Sequence, residues 1–245
     1  MYRVAPLLVG VLACGRIGFD NLDGLHSAAD SADASAQRTV PAGAKIWLQM
    51  ETDPAVSIVD DGGHHAATCA MCPTRGAGER GAGYVFDDTA EVDVGDAVDL
   101  DASAGFTAAV WLKLSAYATA THDCAWTKGF GGSAVSTDTF GLCFDITGVA
   151  LFDSDDSVGA LDELRGPTLP LGEWHHLAMT WDGTQKHAFV DGTEVGAGTT
   201  AIGAGNGVFG LGADRGVNRL DGAVDDALFY TRPLAPAEIQ QLALP

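Results

Sequence analysis

Two carboxylate residues, Glu91 and Asp93, stand two positions apart in the segment Glu91-Val92-Asp93-Val94. In a β-strand this spacing places both side chains on the same face. Neighbouring carboxylates on one face can act as general acid and nucleophile in glycoside hydrolysis. The next acid, Asp96, follows Gly95 and falls outside the alternation. Glu91 and Asp93 are therefore candidates for acid–base chemistry, and Asp96 does not share their two-residue spacing.

The five cysteines form a second set of reactive side chains. With Cys14 set aside for the N-terminal segment, four remain, and they allow three disulfide pairings on counting alone. Cys69 and Cys72 are so close in sequence that a bond between them staples only its own turn. Cys124 and Cys143 lie in consecutive strand-like segments, which antiparallel pairing brings together. We expect these two local disulfides, worth about 2 and about 3 kcal/mol respectively.

The alternative for Cys69 and Cys72 is half of a zinc site, but the sequence has no second CxxC pair. Two further sequence patterns, a serine nucleophile elbow and a histidine metal-binding motif, are also incomplete. The stretch Gly131-Gly132-Ser133-Ala134-Val135 lacks the second glycine of a nucleophile elbow. The seven histidines form no His-x-x-x-His or HExxH pattern. We interpret the histidines as structural or solvated.

The N-terminus has the pattern of an export signal. Arg3 precedes a ten-residue apolar stretch over 4–13, which is too short to span a bilayer as a mature helix. Val11-Leu12-Ala13-Cys14 resembles a bacterial lipobox, whose cysteine is lipidated and becomes the new N-terminus. We expect a lipoprotein signal peptide over 1–13 and lipid attachment at Cys14. An ordinary secretory signal, and hence a secreted protein, is the alternative.

Residues 14–44 have the composition of a flexible tether. Ser, Ala and Asp dominate 27–36 without apolar periodicity, so this stretch cannot offset the entropy of ordering itself. Pro41-Ala42-Gly43 closes the tether, and we place the domain boundary between 44 and 45. In Gram-negative lipoproteins an Asp after the lipidated cysteine favours retention in the inner membrane. Here that residue is Gly15, so by analogy we expect an outer-membrane lipoprotein of a Gram-negative bacterium.

The composition limits the partners. The 245 residues include 33 acidic and 13 basic side chains, a formal net charge of −20. Phosphate binding needs clustered cations, so nucleic acid is not an expected partner, and a membrane is contacted through the N-terminal lipid only. Residues 45–245 carry 29 of the acids and ten of the bases, so the charge belongs to the folded domain. The 32 glycines favour short strands joined by tight turns.

Alternating hydrophobicity predicts a series of strands from Lys45 onward. Residues 106–114 alternate with a two-residue period, and Trp111 on the second face predicts a central strand covered on both sides. Asp182-Gly183 between two apolar runs predicts a hairpin. One short helix is expected at 236–242, opened by Pro236. These features predict an all-β fold of two packed antiparallel sheets.

The same segments resemble a known family. Leu171–Gly183 (LGEWHHLAMTWDG) and the following FVDG are similar to the laminin-G-like signature W-H-h-A-x-T-W-D-G … h-V-D-G. The other matching stretches, in chain order, are Tyr84–Asp87, Phe106–Leu114, Leu220–Leu234 and Pro236–Ile239. The resemblance spans 45–245 and implies a concanavalin A-like jelly-roll sandwich with one short C-terminal helix. Asp226, where Glu is commoner, is a mild departure.

The resemblance raises the question of catalysis, because this fold also hosts glucanases. Those enzymes carry E-x-D-x-(x)-E on one strand. Here Glu91 and Asp93 match, but Asp96 after a glycine replaces the closing Glu. We therefore interpret the protein as a non-catalytic, surface-displayed module that binds a glycan or a surface protein. A glycoside hydrolase using Glu91 and Asp93, and a structural spacer without ligand, are the alternatives.

The resemblance also implies a structural calcium site at the rim, where the end of the first strand meets the last long strand. Glu51 and Asp225 are the carboxylate candidates, with carbonyls of residues 60–63 completing the shell. Calcium takes six to eight oxygen ligands, which an acidic protein rich in loops can supply. The alternative is that each carboxylate caps a turn or faces solvent.

Loops carry function on such a scaffold, and two are the strongest candidates for ligand contact. They cover 129–138 and 153–166. Trp126 and Phe130 are candidates for stacking on a sugar ring, and we favour a core position for Trp126.

Overall fold

A computed structural model describes residues 39–129, 138–156, 161–203, 207–214 and 216–245. The compact unit spans Thr39–Pro245 and so begins earlier than the expected boundary at 44/45. The Tyr230 hydroxyl donates a hydrogen bond to the Pro41 carbonyl, and Val40 and Ala44 pack on an apolar cluster of this unit. The expected signal peptide, the lipidated Cys14 and the tether up to residue 38 lie outside the described residues.

The described residues form fifteen strands and one α-helix, with a 3₁₀ turn at Val98–Leu100. The strands are β1 (Ile46–Leu48), β2 (Ala67–Thr68), β3 (Thr74–Ala77), β4 (Ala82–Asp87), β5 (Val92–Val94), β6 (Phe106–Leu114), β7 (His122–Gly129), β8 (Asp138–Asp145), β9 (Val149–Asp155), β10 (Leu161–Thr168), β11 (Trp174–Trp181), β12 (Gln185–Val190), β13 (Thr193–Thr199), β14 (Phe209–Leu211) and β15 (Asp221–Tyr230). Helix α1 covers Pro236–Leu242. Within this part of the chain, no helix has the length and apolarity that a bilayer crossing requires.

The strands form two sheets in which neighbours run antiparallel. The eight-stranded sheet has the order β13-β12-β11-β6-β15-β4-β3, with β1 also paired to β15. The seven-stranded sheet has the order β10-β9-β8-β7-β14-β5-β2. The all-β prediction of two antiparallel sheets with a short C-terminal helix is confirmed.

The core lies between the sheets and follows the alternation in the sequence. In β6 the side chains from Phe106 to Leu114 at every second position belong to it, and β6 lies centrally between β11 and β15. Trp126 also lies in this core, fully buried, and its indole N–H donates to the Leu228 carbonyl at 3.2 Å. The expected core position of Trp126 is confirmed.

The Asp182-Gly183 hairpin joins β11 to β12 as predicted. Gly183 has φ +95°, a conformation that glycine adopts without a steric penalty. The Asp182 carboxylate accepts hydrogen bonds from the amides of Thr184 and Gln185 at 2.9 and 2.7 Å. The turn residues therefore fix the register of the two strands.

Helix α1 covers the outer face of the eight-stranded sheet, which is the face turned away from the core. Ile239 and Leu242 of the helix are buried in a second apolar cluster. Its other members come from the outward positions of β6, β11, β12 and β15 and from the segment before the helix: Ala109, Ala178, Phe189, Leu228, Tyr230 and Leu234. We call this surface the helix-covered face.

The segment 153–166 is not a loop as expected. Residues 153–155 end β9 and 161–166 belong to its antiparallel partner β10, while residues 157–160 lie outside the described part of the chain. Phe152 of β9 is buried in the core, and Leu164 of β10 packs against it. Asp153, Asp155 and Glu163, which lie between these apolar positions, point outward and gave the segment its loop-like composition. Of the other candidate loop, 129–138, residues 130–137 lie outside the described part of the chain.

Candidate binding site

The outer face of the seven-stranded sheet carries a row of polar and glycine residues that crosses all seven strands. Each member is directly opposite the next in the strand register, so the side chains share one face. In sheet order from β10 to β2 the row is Glu163, Asp153, Gly141, Thr127, Gly210, Asp93 and Thr68. At the usual strand spacing it is about 29 Å long. We call it the cross-strand row.

The middle of the row is shaped by glycine. The chain after β14 folds back, so a Cβ on Gly210 would lie 2.7 Å from the Ala213 carbonyl oxygen. Thr127, fully buried on β7, donates its hydroxyl toward the carbonyls of Gly210 and Ala213, each at 3.3 Å. This backbone ridge separates the row into two ends, each with carboxylates.

Asp93 lies one strand from the β2 end of the row, and Glu91, just before β5, lies on the same face, as their spacing predicted. Glu91 accepts a hydrogen bond from the Gly216 amide at 3.0 Å and lies 3.5 Å from the Arg219 guanidinium. Burial, and then the charge of Asp93, raises the pKa of Glu91 above its usual range. Burial also raises the pKa of Asp93, and the positive charge of Arg219 partly offsets this rise. A backbone amide and an arginine therefore hold the Glu91 carboxylate in place.

Asp153 and Glu163 form the other end, at β9 and β10. Asp153 is only 7% exposed, and its Oδ1 has no hydrogen-bond partner among the described residues. Burial raises the pKa of Asp153 to about 7, with the charge of Glu163 adding to the effect. Glu163 is ion-paired with Arg165 at 2.7 Å, and Arg165 also contacts the Asp145 carboxylate. Sequence reasoning did not single out Asp153 and Glu163 as a pair, because they face each other only through the register of the hairpin.

The Cys124–Cys143 disulfide lies on the same outer face, joining β7 to β8. The two residues are direct register partners, and they form a small apolar cluster with Leu151 and Val149. The structure also joins Cys69 to Cys72 in the turn between β2 and β3. Both bonds are those expected from the sequence.

Strand positions on this outer face carry no aromatic side chain in the described part of the chain. The aromatic residues of β7, β8, β9 and β14 all point into the core: Trp126, Phe140, Phe144, Phe152 and Phe209. Phe130, the second candidate for stacking on a sugar, lies outside the described residues. The described face is thus suited to hydrogen-bonded and ionic contacts.

The proposed calcium ligands Glu51 and Asp225 both reach the turn between β3 and β4. Glu51 accepts from the Ala82 amide at 3.3 Å. Asp225 is fully buried, and its two carboxylate oxygens accept from the amides of Arg80 and Asp226 at 2.9 and 2.8 Å. The carboxylates are therefore partners of backbone N–H groups at this turn.

The loop over residues 60–63 is held beside β1, and its Asp61 lines a pocket together with Glu51. The buried Asp60 carboxylate accepts from the amides of Trp47, Gly62 and His65 at 2.8 to 2.9 Å. No group of three or more His, Cys, Asp or Glu in the described ranges is arranged to hold a metal ion. Calcium binding at Glu51 and Asp225 stays a prediction.

Comparison with known proteins gives a family and a fold. A family model described as the concanavalin A-like lectin/glucanases superfamily matches residues 86–240. A search of curated proteins finds no match. Among solved structures, the binding domain of Paraclostridial mosquitocidal protein 1 has a TM-score of 0.65 at 12% identity, covering 82% of this chain and 52% of that one.

Two further structures are similar. Domain 4 of an extracellular arabinanase from Geobacillus stearothermophilus, solved in complex with arabinotriose, has a TM-score of 0.62 at 18% identity, covering 82% of this chain and 98% of that domain. A Trypanosoma rangeli sialidase has a TM-score of 0.62 at 14% identity, covering 91% of this chain and 38% of the enzyme. This chain thus spans about half of the mosquitocidal binding domain and less of the sialidase. At these identities the likeness is one of fold.

Proposed function

Since the chain belongs to the concanavalin A-like lectin/glucanases superfamily, we propose that it is a non-catalytic binding module for a glycan. The ligand lies on the outer face of the seven-stranded sheet, along the cross-strand row. A surface protein is the second candidate ligand.

The observation that carries this proposal is the contrast between the two outer faces. The only α-helix of the described residues packs on the eight-stranded sheet, over apolar side chains. The outer face of the seven-stranded sheet instead carries carboxylates on both sides of the backbone ridge, in one line across the strands. Convergent polar groups over a rigid sheet suit a ligand that offers many hydroxyl groups.

The comparisons support the choice of a glycan. A domain of similar fold and nearly the same length was solved in complex with arabinotriose, and several other similar structures are binding domains of toxins. The support is by likeness of fold, and the ligand of this chain is our proposal.

The hydrolase alternative requires Glu91 and Asp93 to reach a glycosidic bond together. The Glu91 carboxylate is instead bound to the Gly216 amide and lies beside Arg219, which favours a positioning role for it. A hydrolysis assay on β-glucans with Glu91→Gln as control separates the two functions. Turnover that this substitution abolishes would replace the binding proposal by catalysis.

We also propose that Cys14 carries a lipid that displays the module on the outer membrane. The basic residue, the short apolar stretch and the lipobox-like cysteine support this. Mass spectrometry of the membrane fraction tests it: a diacylglyceryl adduct that is absent in Cys14→Ala is the expected result, and an unmodified secreted chain would contradict it.

A glycan array run with and without calcium tests the binding function. We expect a restricted set of glycans to bind, with affinity lowered about tenfold by Asp93→Asn, because the loss of a charge-assisted hydrogen bond is of that size. Glu194→Gln, on β13 of the other sheet, is the matched control and leaves binding unchanged. An array without binding, together with surface pull-downs without a partner, would leave the structural spacer as the function.

A further inference from the structure

We propose that Asp153 and Glu163 form a subsite for the ammonium group of an amino-sugar residue in the bound glycan. This inference rests on the proposed function, since it specifies the chemical class of the ligand on the same face.

The first support is a buried carboxylate with an unused acceptor. Asp153 lies directly opposite Glu163 across β9 and β10, and its other register neighbour is Gly141, which has no side chain. Asp153 is 7% exposed, and its Oδ1 accepts no hydrogen bond from any described residue. A buried acceptor without a donor costs about 1–3 kcal/mol, and more when it is charged, so such atoms call for an explanation. A ligand that donates a hydrogen bond supplies one.

The second support is the local charge. Asp155 lies on the same face of β9, two positions from Asp153, and adds to the negative potential that Asp153 experiences. The nearby cation on this face, Arg165, is shared between Glu163 and Asp145. Lys186 lies on the core side of β9, where it donates to the Phe152 carbonyl and the Ser154 hydroxyl. Arg165 and Lys186 are therefore engaged by other groups, and neither donates a hydrogen bond to Asp153.

An ammonium group matches this arrangement better than a hydroxyl does. It carries the opposite charge and three donors, enough to contact both carboxylates. Burial and the neighbouring carboxylate raise the pKa of Asp153, because the ionised form lacks a partner there. A bound cation favours that ionised form.

The edge of the sheet gives the approach to the subsite. β10 is the terminal strand of the seven-stranded sheet, and β9 is the next strand in. The Glu163 side chain retains 27% of its exposure, and Leu161 beside it is 64% exposed. The described outer face has no aromatic strand position on which a neutral sugar could stack, so ionic contact is the mode that this end offers.

Isothermal titration with a glucosamine tetramer and its fully N-acetylated counterpart, near neutral pH, tests the subsite. We expect the free amine to bind about tenfold more tightly, since acetylation removes the charge. Asp153→Asn and Glu163→Gln are each expected to abolish this preference while changing the affinity for the acetylated tetramer less than about threefold. Glu194→Gln is the control, and circular dichroism with thermal melting shows whether each variant is folded.

Each other outcome overturns the inference. Equal binding of the two tetramers, or a preference that survives Asp153→Asn, refutes the subsite while the proposed function stands. Binding of neither tetramer, with other glycans bound on the array, also refutes the subsite alone. Absence of any glycan binding refutes both proposals. If a lysine tetramer binds in an Asp153-dependent manner and the glucosamine tetramer does not, the site serves a protein ligand instead.

Discussion

The two outer faces of the sandwich follow the same alternation and differ in what the outward residues are. On the helix-covered face the outward positions include Phe189, Leu228 and Tyr230, which pack under α1. On the outer face of the seven-stranded sheet the corresponding positions include Asp93, Asp153 and Glu163. The fold therefore covers the first face with a helix over apolar side chains, whereas the second face carries carboxylates on both sides of its backbone ridge.

The two faces also differ in the charge of a buried ionisable group at neutral pH. Under the helix-covered side, His176 is 1% exposed, and burial lowers its pKa to about 3, so the imidazole is neutral and stacks edge-on with Trp111. On the other face, Asp153 keeps a group whose charge depends on pH near neutrality. His176 is thus neutral and packed against an aromatic ring, whereas Asp153 can be ionised near neutral pH, where a bound ligand can change its charge.

The largest predicted effect is the loss of stability when a buried side chain under the helix is truncated. Ile239→Ala, fully buried under the helix, is expected to lower the free energy of unfolding by about 3–4 kcal/mol, because it removes buried methylenes and leaves a cavity. Leu161→Ala, 64% exposed on β10, is the matched control and should stay within about 0.5 kcal/mol. Urea denaturation measures both. Equal losses would show that α1 does not seal its face.

The disulfides come next. Replacing Cys124 and Cys143 together by Ala is expected to cost about 3 kcal/mol, since the bond closes the longer loop and lies in an apolar cluster. The same replacement at Cys69 and Cys72 should cost about 2 kcal/mol, because that loop is short. Thermal melting of the two double variants gives the ranking. A larger loss at Cys69 and Cys72 would contradict it.

Asp153→Asn should change how stability depends on pH. The pKa of Asp153 is about 7 in the folded protein and near 3.8 when unfolded, so folding favours the neutral form. The wild-type free energy of unfolding therefore falls as pH rises between these values, and an asparagine cannot contribute to that fall. We expect the variant to gain on the order of 4 kcal/mol relative to wild type between pH 4 and pH 8.

Urea denaturation of both proteins at the two pH values measures this difference. The contributions of all other ionisable groups cancel, because both proteins contain them. The charged groups that face Asp153 are Glu163 and Arg165 on β10 and Asp155 on β9, and Lys186 of β12 acts on it from the core side of the sheet. Parallel pH profiles for the two proteins would mean that Asp153 is ionised normally in the fold.

The sequence was a good guide to the elements whose two faces differ in polarity. Alternation predicted β6, Asp182-Gly183 predicted the β11–β12 hairpin, and Pro236 predicted the start of α1. The β9–β10 hairpin was missed because its outward acids made the segment resemble a loop.

The candidate site was less predictable for a physical reason. Glu91 and Asp93 share one strand, so their spacing alone placed them on one face. Asp153 meets Glu163 only through strand pairing, and Gly141 and Gly210 join the row through strands that are distant in sequence. Register between strands depends on packing of the whole sandwich, which a local pattern does not contain.

The smallest predicted effect concerns calcium on the helix-covered side. Because the Asp225 carboxylate accepts two backbone N–H groups and Glu51 accepts another, we expect excess calcium to leave the melting temperature of chelator-treated protein unchanged. A ligand selective for the folded state must raise that temperature. A rise that Asp225→Asn abolishes would restore the calcium site at this rim.

Amide chemical-shift mapping shows directly whether the glycan binds on the outer face of the seven-stranded sheet. The protein is titrated with the glycan that binds most strongly on the array, and shift changes are assigned to strands. We expect the changes to concentrate in β5, β7, β8, β9 and β10, on either side of the ridge at Ala213. Changes concentrated in β6, β11, β12 and α1, or at the turn around Glu51, would contradict it.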